Sequence, residues 1–264
     1  MLIIDHVGVT FNVGTPDENR ALRDVSLEVN RGDFVTVIGS NGAGKTTLYN
    51  LIAGTYAPTA GRIFLRGKDI TKTPEFRRAR FIGRIFQNPL LGTAGKMTLE
   101  DNMVICHKKG YKGLGISLNH KLREYFRERL RELDMGLETR LKDNVDQFSG
   151  GQRQALTLLM AVLSEPDLLL LDEHTAALDP RNAEIVMNLT RTFADRYGLT
   201  VMMITHNMSH AIEYGNRLLM MDSGEIVLDV GSAEKPKLTI DEIVQRFRDI
   251  KRRELTNDQM LLNP

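Results

Sequence analysis

The chain has 264 residues, 42% of them hydrophobic and 26% charged, the ordinary balance of a globular protein that buries a substantial core. Lys plus Arg number 35 and Asp plus Glu 34, leaving a net charge of +1 and no whole-chain signal for nucleic acid or an anionic membrane. A single cysteine, Cys106, excludes an intrachain disulfide and fits a reducing compartment.

The N-terminal stretch MLIIDHVGVTF lacks the basic start and apolar run of a signal peptide. Residues 2 to 11 and 25 to 29 read as strands around a polar loop, Asn12 to Asn19, with Val25, Leu27 and Val29 alternating against Ser26 and Glu28. Arg31-Gly32-Asp33 is a turn, and Phe34 to Ile38 is the wholly apolar pattern of a buried parallel strand. A helix is predicted from about Lys45 to Ala53, with strands at Arg62 to Leu65 and Arg80 to Phe86. Strand signals then vanish between about 88 and 147. There Leu122, Tyr125, Phe126, Leu130 and Leu133 stand at helical spacing, and the segment reads as a helical insertion. The alternating pattern resumes with helices at Gln152 to Leu163 and Arg181 to Tyr197 and strands at Leu168 to Leu171 and Thr200 to Ile204. Arg217 to Met221 and Glu225 to Asp229 form a hairpin around Asp222-Ser223-Gly224, an amphipathic helix follows over 239 to 250, and the end is expected to fray. No apolar run approaches the roughly 20 residues that span a bilayer, so any work at a membrane goes through a partner. Cys106 and the twelve methionines read as packing residues, Lys108-Lys109 as a solvated face, and no Cys/His cluster suggests a structural metal.

Gly39-Ser40-Asn41-Gly42-Ala43-Gly44-Lys45-Thr46, followed by Thr47, matches GxxxxGK[ST] in full, with a buried strand before it and a helix after it. Its glycines let successive backbone N–H groups turn inward onto phosphate oxygens, and the helix start adds its positive dipole end. Lys45 brings a charge to the outer phosphates, and the Thr46 hydroxyl suits Mg²⁺. The cofactor expected is therefore MgATP. The strand at 168 to 171 ends in Asp172-Glu173, at the carboxyl edge where ligands sit in α/β sheets. Asp172 approaches the Mg²⁺, and Glu173 is placed to take a proton from an attacking water. Ser149-Gly150-Gly151-Gln152 opens a helix. Ser149 and Gln152 make a capping box, and the paired glycines leave bare amides, a second anion site. Two such sites in one chain suggest a pair in which one copy closes on the other's ATP.

In order along the chain, GSNGAGKTT, Gln87 after a strand, FSGGQ, LLLLDE, AALD and His206 after a strand resemble the ATP-binding cassette (ABC) ATPases from about residue 2 to 250. The resemblance implies an α/β fold: a P-loop NTPase core with a mostly parallel sheet, an antiparallel N-terminal β subdomain and an inserted helical subdomain. The core and β subdomain take 1–87 and 148–232 and the helical subdomain about 88–147, all within one domain over 1–250; 233–264 is a C-terminal helix and tail. It further implies that Phe11 stacks on adenine, Gln87 senses the γ-phosphate and Mg²⁺ and opens the partner-contacting segment, and Glu173 is the general base. His206 is the residue bonding the γ-phosphate, Ser149 to Gly151 cap the partner chain's γ-phosphate, and Asp179 crosses the interface of a head-to-tail homodimer or paired cassette. Phe148 stands where leucine is usual and His174 where proline is usual; neither change removes a catalytic group.

LLGTAGKMTLEDN, RQALTLLMAVLSEP, DEHTAALDP and THNMSHAIEYGNRLLMMDSGEIVLDV are most similar to a bacterial group of import ATPases. That similarity implies an integral membrane permease of the branched-chain-amino-acid or sugar kind, an extracytoplasmic solute-binding protein, and a peripheral place on the cytoplasmic face of the cell membrane. Its implied cargo is a small solute such as an aromatic amino acid. A soluble cassette ATPase acting in assembly, translation or DNA handling is the alternative, opposed by a single cassette without a long coiled-coil insertion. A purely regulatory ATP-binding subunit is opposed by Glu173 and His206, and a GTPase by the lack of NKxD.

Overall fold

Strand residues that are apolar on both faces must be covered on both sides, and this chain sorts its strands by that rule. The computed structural model describes residues 1–107 and 118–249; the pair Lys108-Lys109 and the terminal tail lie outside them. β1 (Leu2–Phe11) and β2 (Asn19–Val29) alternate buried and exposed residues and join β4 (Ala60–Leu65) and β5 (Lys68–Asp69) in an antiparallel sheet ordered β2-β1-β4-β5. β3 (Phe34–Gly39) and β7 (Leu168–Asp172), buried up to their last residues, and the wholly buried β8 (Val201–Ile204) lie in a second sheet. With β6 (Ile82–Ile85), β9 (Arg217–Asp222) and β10 (Glu225–Val230) its order is β10-β9-β3-β8-β7-β6, parallel except for β10. This is the α/β architecture expected, with a mostly parallel sheet beside an antiparallel one.

β2 begins six residues before the predicted strand. It is an edge strand, and its pairing with β1 shifts register three times, which scrambles the alternation that reveals strands. The sixth strand is shorter than predicted, because Arg80 and Phe81 belong to the turn that follows α2 (Glu75–Arg78).

The helices match the apolar spacing. α1 (Lys45–Ala53) lies between the sheets and buries Leu48, Leu51 and Ile52. α3 (Leu99–His107) and α4 (His120–Arg131) lead to α5 (Gly150–Leu163), and their apolar faces share one core with α6 (Pro180–Tyr197) and the β7–β8 face of the parallel sheet. Phe148 is buried in that core, with the Arg140 guanidinium 4.6 Å from its ring centre, so the aromatic is accommodated where leucine is usual. α7 (Met208–Glu213) and a last helix, α8, over 240–249 cover the far edge. Among the described residues no helix is long and apolar enough to cross a membrane.

Two buried cations tie these layers together. Arg78 donates to the carbonyls of Leu51, Ile52, Ile70, Thr71 and Thr73, so a single guanidinium caps the carboxyl end of α1 and anchors the turn after β5. Arg78→Met, which strands those acceptors in a buried site, is expected to lower the unfolding free energy by about 3 kcal/mol in urea titration.

Lys235, 1% exposed, donates to Thr36 Oγ1 at 3.3 Å, to Gly215 O at 3.1 Å and to Tyr214 O, pinning the C-terminal segment to β3. Burial pushes its pKa down from 10.5 to about 8. The unfolded chain therefore holds this proton over a window in which the folded chain has released it. Stability gains from this group as pH rises from about 8 towards 10.5, and not below. We expect the melting temperature to rise between about pH 8 and about 10 by an increment that Lys235→Met removes.

Candidate functional site

β3 ends at Gly39, whose φ of 150° brings its Cα hydrogen against the β9 backbone; a Cβ there would lie 2.2 Å from Met221 O. The chain then turns through the loop into α1. Lys45 folds back over it, Nζ donating to Gly39 O and Ser40 O at 2.8 Å each. Burial lowers the Lys45 pKa, against the pull of the Glu173 and Asp172 carboxylates, so the ammonium stands beside both acids.

A cavity of about 480 Å³ opens over this loop. Its walls include Phe11, the run Asn41 to Thr47, and Glu173, so loop, aromatic and acid line one space. Phe11 packs edge-on to Tyr56, ring centres 5.1 Å apart, which sets the orientation of its ring at the cavity wall. Asn19, Arg20, Ala21, Arg23 and the turn Ser223-Gly224 also line it, and no sequence pattern points to them. The turn braces the loop, with Gly224 N–H donating to Ala43 O at 3.1 Å and Ser40 Oγ donating to Asp222 Oδ1 at 3.3 Å. No local pattern announces this, because the hairpin meets the loop only through the sheet order.

Asp172 and Glu173 leave β7 beside the loop. Burial raises the Asp172 pKa, and Arg84 on β6 counters it with Nη2 3.7 Å from Oδ2. Arg84 also lies over the Phe86 ring at 4.6 Å. Glu173 sits at φ 48°, in the left-handed region. Its N–H donates to Ile204 O at 3.2 Å, and its Oε1 meets His206 Nε2 at 2.5 Å. The predicted acid and histidine are thus a contacting pair. Asp172 and the Thr46 hydroxyl are hard oxygen donors at the mouth of a phosphate-type loop, and they suit a cation that also takes phosphate oxygens.

Gln87 is exposed at the end of β6 and is not part of the cavity wall. Ser149, Gly150, Gly151 and Gln152 also lie outside it, at the start of α5. The capping box forms as predicted: Ser149 Oγ accepts from Gln152 N–H at 3.2 Å, and Gln152 Oε1 accepts from Ser149 N–H at 3.1 Å. Gly151 packs against the first turn of α6, where a Cβ would come within 2.6 Å of Asn182 Oδ1. Asp179 caps α6, accepting from Asn182 N–H at 3.0 Å. The loop cavity and the glycine-rich start of α5 are thus separate on the chain, and at the latter the Gln152 backbone amide is already bonded to Ser149.

A family model described as "ABC transporter" matches residues 22–176. The chain is 40% identical over 248 residues to a tyrosine transport ATP-binding protein of Clostridioides difficile, covering 94% of this chain and 98% of that protein. It is 33% identical to an energy-coupling factor transporter ATP-binding protein of Enterococcus faecalis, over 88% of this chain and 80% of that one. Among solved structures, the ADP conformation of the ATP-binding cassette MJ1267 superposes with a TM-score of 0.76 at 26% identity, covering 94% of this chain and 98% of that one. A post-hydrolysis dimer of the cassette MJ0796 bound to ADP and Pi superposes with a TM-score of 0.73 at 25% identity, covering 88% and 99%.

Proposed function

The chain belongs to the ABC transporter family as one of its ATP-hydrolysing subunits, and we propose that it powers import of a small solute through a separate permease on the cytoplasmic face of a membrane. A tyrosine transport protein among its relatives makes an amino acid the solute to test first. The observation that supports the reading is the separation of the loop cavity from the glycine-rich start of α5, which lies outside its walls. Two copies paired head to tail complete both sites. Each then takes Lys45, Thr46, Gln87, Asp172, Glu173 and His206 from one chain and Ser149, Gly150, Gly151 and Asp179 from the other.

In this arrangement Phe11 stacks on adenine and Lys45 turns from its loop carbonyls to the outer phosphates. Thr46 and Asp172 would hold Mg²⁺, with Gln87 joining them once nucleotide is bound, and the ion would supply positive charge to offset the negative charge on the phosphoryl group. Glu173 orients the attacking water and accepts its proton, while His206 fixes the carboxylate through the 2.5 Å contact and bonds the γ-phosphate. α3 and α4, packed in one core with α5, carry its start towards the partner copy. Beside α3 a cleft of about 390 Å³, walled by Arg84, Phe86, Gly92, Ile105 and Met160, suits an apolar segment of the permease.

The test is to tag the full chain in its own cell, solubilise membranes gently and identify what copurifies. A polytopic membrane protein supports the importer reading, and a solute-binding protein in the same complex points to the cargo. A ribosome, DNA or soluble scaffold without a permease replaces transport with a soluble role and leaves the ATPase chemistry intact.

A further inference from the structure

Glu173 holds a backbone conformation that L residues seldom adopt, so something beyond its own preference must keep it there. The residue after it, His174, is 2% exposed, buried beneath the turn that runs to Asp179. Its Nε2 lies 3.1 Å from Thr190 Oγ1, inside α6. The Thr190 hydroxyl has one proton and donates it to Val186 O at 2.8 Å. The histidine is therefore the donor, with the proton on Nε2, and Thr190 the acceptor. Burial depresses the imidazole pKa to about 4, consistent with a neutral ring.

Thr190 is 1% exposed, and α6 is held elsewhere as well. About 12 Å along the same helix, at 1.5 Å per residue, Asn182 packs against Gly151 at the start of α5. A continuous path thus runs from Glu173 through His174 and Thr190, along α6, to the glycine-rich start of α5. We propose that His174 is a positioning residue, whose hydrogen bond to Thr190 sets the Glu173 turn against α6 and so fixes the carboxylate relative to His206 and to the α5 start. A proline at 174 would stiffen the turn by its ring alone, with no side-chain tie to α6. This chain has a tether in place of a stiff ring, and the tether makes the geometry of the base depend on where α6 lies. The inference rests on Glu173 being the general base, as proposed above.

The test is steady-state ATP hydrolysis by the purified full chain, with nucleotide binding measured on the same samples. Thr190→Val keeps the shape of the side chain and removes the acceptor. Its kcat is expected to fall about tenfold with KM for ATP within about twofold, the pattern of a reacting group misplaced by a fraction of an ångström. Thr190→Ser, which keeps the hydroxyl, is expected to restore kcat. Should Thr190→Val fail to fold, His174→Asn tests the same bond with α6 untouched, and the same split is expected. Wild-type kcat in both acceptor and donor variants overturns the proposal, as does a loss of kcat matched by an equal loss of nucleotide-binding chain. Glu173→Gln separates the two levels. If it turns over normally the base assignment fails and this inference with it. If it is inactive while Thr190→Val is normal, only the role of His174 fails.

Discussion

Replacing Glu173 by glutamine is expected to lower ATP turnover by about 10²- to 10⁴-fold, the range for loss of a positioned general base. The amide matches the carboxylate in size, so the contact with His206 at 2.5 Å and the turn at φ 48° have no steric reason to change. What is lost is the ability to accept a proton from water. Binding is preserved because the loop and Lys45 are untouched. With hydrolysis blocked and ATP retained, two copies should remain closed on one another. Size-exclusion chromatography with light scattering should report a monomer without nucleotide and a dimer with MgATP. A variant that stays monomeric with MgATP and hydrolyses it at the wild-type rate rules out Glu173 as the base.

Gly151→Ala should separate binding from turnover. The added methyl would lie 2.6 Å from Asn182 Oδ1 and 2.7 Å from its Cγ, closer than packed atoms approach, so either Asn182 must leave its bond to Asp179 Oδ2 or the first turn of α5 must move away from α6. That turn bears the surface proposed to close on the partner's nucleotide. The loop cavity of the same chain includes neither Gly151 nor Asn182 and should bind ATP as before. We expect a fluorescent ATP analogue to bind the monomer within about twofold of the wild type while phosphate release falls about 10²-fold, the cost of roughly an ångström of misplacement in a catalytic group. Equal losses in both assays would show that the substitution unfolds the chain, and full activity would show that this turn has no part in the site.

Much of this was legible in the sequence, and the division follows the range of each interaction. The phosphate loop, the capping box at Ser149 and the buried strands 34–38 and 168–171 are local patterns whose cause lies within a few residues, and all appear where expected. Arg84 carries only a strand signal in the sequence, since its partner Asp172 lies on another strand. Asp222 to Gly224 read as a hairpin turn, and its second role, bracing Ser40 and Ala43, exists only because β9 pairs with β3. Lys235 carries no sequence signal of burial, because a lysine there finds its three acceptors at residues 36, 214 and 215. His174 was visible as an unusual residue, but a lone histidine after an acid does not reveal a threonine sixteen positions later.

The order of the parallel sheet bears on how the protein is made. β3 leads directly into the phosphate loop, yet both its neighbours, β8 and β9, lie some 160 residues or more downstream. A ribosome adding about 5–20 residues per second needs on the order of 10–30 s to supply them. Meanwhile β1, β2, β4 and β5 can pair among themselves, since all four lie within the first 69 residues. The strand behind the ATP site therefore emerges early as an apolar ribbon with open edges, and it is completed only near the end of synthesis. Nascent chains halted between β7 and β8 would expose that ribbon, which makes translation speed through this interval a determinant of how much chain reaches the native state instead of aggregating.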